Sequence, residues 1–70
     1  MGWRDHLLRL LARGIRTRDG LPLMGETILR VIDRIDASPG LSDRLDELDE
    51  RTFRREFLAL YKAERALEEQ

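Results

Sequence analysis

Apolar residues recur along most of the chain at intervals of three and four, the period of an α-helix rather than the strict alternation of a strand. At about 100° per residue, Trp3, Leu7, Leu8, Leu10, Leu11 and Ile15 gather on one side of residues 3–16, with Asp5, His6, Arg9, Arg13 and Arg16 opposite. A first amphipathic helix is therefore predicted over 3–16. Arg4 alone intrudes on its apolar face, where a long stem lets the charge reach solvent. Gly14 lies beside that face, where it either admits a close neighbour or weakens the last turn.

Asp19-Gly20 is a turn dipeptide and Pro22 is tolerated only in the first turn of a second helix, so the first helix ends before them. Met24, Ile28, Val31, Ile32 and Ile35 then share one face of that second helix, predicted over 22–37. Ser38-Pro39-Gly40 closes it. Beyond that point the apolar stripe shifts. Leu41, Leu45 and Leu48 define one line, while Phe53, Phe57, Leu60, Tyr61 and Leu67 define another, rotated by roughly 100° if the helix is continuous. The shift falls at Asp49-Glu50-Arg51-Thr52, where Asp49 or Thr52 can serve as an N-cap. A short third helix (42–50) and a fourth (52–68) are expected, with one bent helix as the alternative. The fold expectation is an all-α bundle of three to four helices in one domain, 1–70.

Composition narrows the chemistry. The 70 residues contain no cysteine and one histidine, which removes disulfide scaffolds, thiolate zinc sites and cysteine nucleophiles. His6 is read on the polar face of a terminal helix. Ser38, Ser42, Thr17, Thr27 and Thr52 read as turn or cap residues rather than nucleophiles. No phosphate-cradling glycine loop or Glu-x-x-His pair occurs. Asp43, Asp46, Glu47, Asp49 and Glu50 lack the glycine bend and alternating spacing of a calcium loop, and read as a solvated face. Neither catalysis, a metal nor a cofactor is expected.

Charge is balanced overall, 13 Lys plus Arg against 14 Asp plus Glu, but divided along the chain. Residues 1–20 carry +3, residues 21–40 carry -1 and residues 41–70 carry -3. Arg9, Arg13 and Arg16 fall within about 60° of one another on a continuous helix, with Arg18 just beyond, a geometry suited to phosphates or to an acidic protein surface. A helix-turn-helix reading of residues 25–50 fails because its would-be recognition helix is acidic and phosphates would repel it.

The first helix (Trp3, Leu7, Leu10, Leu11 with Arg9, Arg13, Arg16) and the aromatic stripe (Phe53, Phe57, Leu60, Tyr61, Leu67) are the expected partner-binding surfaces. So short a chain without disulfide or metal has a small core, and association with a protein partner or a second copy is the usual remedy. The function read from the sequence is a non-catalytic protein-interaction module, an accessory or adaptor subunit. Its alternative is a phosphate-directed nucleic-acid binder using Arg9, Arg13, Arg16 and Arg18. Arg9 and Arg13 interrupt every apolar run of the opening segment, so neither a signal peptide nor a membrane span is read, and a cytoplasmic location is expected.

Overall fold

The computed structural model describes residues 2–70 and contains four helices: α1 (Trp3–Ala12), α2 (Gly25–Asp36), α3 (Pro39–Asp46) and α4 (Glu50–Glu68). No strand is present among the described residues, so the all-α expectation holds. Helix α4 is the spine. It packs against both α1 and α2, and α3 closes the end between them. Trp3, Leu7 and Leu10 from α1, Ile15 just beyond it, Val31 and Ile35 from α2, Leu45 from α3, and Phe53, Phe57 and Tyr61 from α4 bury into one core. The indole of Trp3 and the ring of Phe53 stack 6.4 Å apart between centroids, and Phe57 follows at 5.7 Å from Phe53.

Helix ends depart from the periodicity in ways that local chemistry explains. Helix α1 stops at Ala12, four residues before the predicted end, because Gly14 takes φ 77°. The Gly14 N–H donates to the Leu11 carbonyl at 3.1 Å and the Ile15 N–H donates to the Leu10 carbonyl at 3.2 Å, a paired closure that a left-handed glycine makes easily. Ile15 is thereby folded back into the core as the residue after the stop, not as a further helical position. Residues 16–22 form a tight hairpin in which Thr17 and Leu21 pair at 2.8 Å and Gly20 turns at φ 83°. Pro22 belongs to that hairpin, so α2 starts at Gly25 rather than 22.

Helix α3 starts at Pro39, earlier than expected: proline at the first helical position sacrifices an N–H that has no helical partner anyway. The break before α4 is real. Asp49 is its N-cap, accepting the Thr52 N–H at 2.7 Å, and hydrogen bonding to the Thr52 side chain first and to its N–H second holds the Asp49 carboxyl below its usual value of 3.8. Thr52 is the donor of that cap and not the cap itself.

Three expected faces need correction. His6 is buried, not solvated. Its ring lies 5.7 Å from that of Phe53, with Nε2 at 3.1 Å from the Leu48 carbonyl and Nδ1 at 2.7 Å from Arg9. A carbonyl only accepts and a guanidinium only donates, so these partners assign the proton to Nε2. Leu8, Leu11 and Met24, read as core-facing, are exposed. Thr27, read as a turn residue, is fully buried with its hydroxyl donated to Glu68. Arg4 lies 4.6 Å over the Trp3 ring and pairs with Asp36.

Candidate functional site

Most of the apolar residues predicted to face a partner face this chain's own interior. Trp3, Leu7, Leu10, Phe53, Phe57 and Tyr61 are buried in the core, and Leu60 packs half-buried against it. Of that set only Leu11 and Leu67 remain at the surface. The aromatic stripe is sealed by α1 and α2, because a helix with neighbours on two sides satisfies its apolar face internally.

The arginines grouped by sequence are also separated. Arg9 and Arg13 both clamp Glu50 at the start of α4, with contacts of 2.7 and 2.6 Å. The Arg9 hydrogen bond, aided by Arg13, outweighs burial and holds the Glu50 carboxyl below its usual 4.5. Arg16 lies beyond the end of α1, donating to the Gly20 carbonyl at 3.0 Å, and Arg18 sits on the hairpin. The four therefore do not share a helical face.

What the fold assembles instead is a groove of about 1160 Å³ between the hairpin and the outer side of α4. Arg16, Arg18, Leu21, Pro22 and Met24 form one bank; Arg51, Arg54, Arg55, Leu58, Ala59, Lys62 and Arg65 form the other. The Tyr61 hydroxyl holds the banks together by accepting the Met24 N–H at 2.9 Å. Among the described residues, six cationic side chains have no carboxylate within ion-pair distance: Arg16, Arg18, Arg51, Arg54, Arg55 and Lys62. All six line this groove. Against them the lining has only Asp19 and Glu69, the latter near Arg65 at 3.6 Å.

Segment charge concealed this surface. Residues 41–70 sum to -3, but the acids of α4 lie away from the groove. At about 100° per residue, Glu50, Glu64 and Glu68 share the side of Phe53, Phe57 and Tyr61. There Glu50 meets Arg9 and Arg13, Glu64 meets Arg34 at 3.1 Å, and Glu68 meets Arg30 and Arg65. Burial pushes the Glu68 carboxyl up, but hydrogen bonds from Thr27, Arg30 and Arg65 leave it below its usual 4.5. The cations of α4 are left on the outer face. A helical-wheel reading of Arg51, Arg55, Leu58, Lys62 and Arg65 contains this signal; a charge sum by segment does not.

No family model, curated protein or solved structure matches this chain, so the functional reading rests on the groove's own chemistry. No group of three or more His, Asp or Glu among the described residues is placed to hold a metal ion. No helix among them is long and apolar enough to cross a membrane. The groove offers guanidinium donors on both banks and exposed aliphatic surface between them, a combination that binds an anionic and partly apolar object.

Proposed function

We propose that this chain is a non-catalytic protein-interaction module, a small helical adaptor that docks on an acidic region of a partner protein through the groove between the hairpin and α4. The observation that carries this reading is the gathering of all six unpaired cations around one apolar floor. Like charges held this close repel one another, and a partner's carboxylates relieve that repulsion while forming charge-assisted hydrogen bonds. Leu21 and Met24 stand 62% and 50% exposed beside those cations. A protein surface covers such side chains with apolar contacts, whereas a phosphate backbone leaves them facing charge. Single-stranded nucleic acid is favoured by exposed aromatic platforms, and Tyr61, the groove's one aromatic, is buried and engaged with Met24.

The test compares two anions on isotope-labelled protein by NMR: poly-glutamate and a short DNA duplex, each over a range of salt. Protein docking predicts amide shifts confined to residues 16–24 and 51–65 with poly-glutamate. Arg54→Glu/Arg55→Glu abolishes them and Arg9→Glu/Arg13→Glu does not. Tighter binding of the duplex, with log affinity falling against log salt at about -0.9 per phosphate contact, replaces this reading with nucleic-acid binding.

A further inference from the structure

On α4, Arg51, Arg55, Leu58, Lys62 and Arg65 succeed one another at steps of four, three, four and three residues, with Arg54 and Ala59 flanking the line. These positions make one continuous helical stripe turned away from Phe53 and Phe57. Cations occupy its two ends, and Leu58 and the small, exposed Ala59 lie between them. The facing bank places Leu21 and Met24 alongside. The trough thus has an apolar middle and basic margins.

The backbone and side chains of its α4 bank select among shapes of occupant. A strand would need an open ladder of N–H and C=O groups. The α4 bank offers none, since its backbone groups are bonded within the helix. Recognition here runs through side chains along a helix axis, and Ala59 leaves room for a second helix to approach closely.

We infer that the groove seats an acidic amphipathic α-helix of a partner protein, with aliphatic side chains over Leu58, Leu21 and Met24 and carboxylates on Arg51, Arg54, Arg55 and Lys62. This rests on the protein-docking reading above and adds the shape and patterning of what docks. Apolar positions at i, i+3, i+4 and i+7 of the partner meet the floor, and Glu or Asp on either side meet the margins. Charge steers the encounter, and the buried aliphatic contacts set residence.

Two labelled peptides decide it by fluorescence anisotropy on the intact chain, and light scattering of the protein alone tests self-association. The first is a labelled peptide of about 18 residues made of Glu, Leu and Ala with the leucines on one helical face. The second has the same label and composition with the leucines spread around the helix. The patterned peptide is expected to bind at least about tenfold tighter than the spread one and to gain helical circular dichroism on binding. Met24→Ser weakens the patterned peptide alone; Arg54→Glu/Arg55→Glu weakens both, with an unchanged melting curve showing that the fold survives. Equal affinity for the two peptides overturns the helix inference and leaves acidic docking intact. Binding of neither overturns both. Self-association in light scattering that the Arg54→Glu/Arg55→Glu variant dissolves also overturns the inference, since the occupant is then a second copy of this chain.

Discussion

The Tyr61 hydroxyl accepts the backbone N–H of Met24 at 2.9 Å, and this bond links the far end of the hairpin to the middle of α4. Tyr61 contributes its ring to the core and its oxygen to the groove wall. The bond therefore couples the stability of the bundle to the spacing of the two basic banks.

Tyr61→Phe keeps the ring and leaves the part-buried Met24 N–H without its acceptor. The expected loss is about 1–2 kcal/mol in urea denaturation. Amide hydrogen exchange at Met24 should speed up more than at Val31, which lies in the middle of α2. Unchanged exchange at Met24 contradicts the proposed coupling.

Phe53 and Leu67 lie on the same predicted stripe but differ in burial, 0% against 51% exposed. Phe53→Ala opens a cavity beneath Trp3, His6 and Phe57 and should cost about 3–5 kcal/mol, a large share of the stability of a domain this small. Leu67→Ala should stay within about 0.5 kcal/mol. Thermal melts of the two variants measure the contrast directly.

Gly14 holds φ 77°, and a Cβ added there would meet nothing within 4 Å, so only backbone strain opposes a side chain. Gly14→Ala should cost about 1 kcal/mol or somewhat more. Gly25→Ala meets open space in a helix without positive φ and should be neutral to stabilising. Chemical denaturation of both isolates the cost of the positive φ, since neither site is crowded.

Glu50 and Glu68 both have carboxyl groups held below the ordinary 4.5 in the folded chain. A depressed folded value means their contribution is fully present above the unfolded value and is lost as pH falls through the folded one. Melting temperature should be insensitive to these two groups near neutrality and should drop on acidification below about pH 4.5. Glu50→Gln/Glu68→Gln should flatten that acid limb, as followed by circular dichroism melts across the acidic range.

Periodicity and local chemistry determined much of this protein without reference to its fold. The intervals between Val31 and Ile35 and among Phe53, Phe57 and Tyr61 mark helical core faces, and the shift of stripe at Asp49-Glu50-Arg51-Thr52 marks a cap or a bend, with Asp49 or Thr52 as the candidate cap, because each signal lies within one or two turns of chain. Closure at Gly14 was equally local, written in a glycine followed by an isoleucine, although the apolar period ran past it. Tertiary structure alone decided which faces stayed open. Leu11 and Met24 have the same apolar character as Leu10 and Val31, yet no neighbouring helix covers them. The charges divide for the same reason. Arg9 is neutralised by Glu50, 41 residues away, while Arg54 meets no carboxylate, and the groove exists because packing pairs the inner acids of α4 and leaves Arg51, Arg54, Arg55 and Lys62 on its outer side unpaired. An ion pair depends on the distance between groups remote in sequence, and that distance is set only when the helices pack.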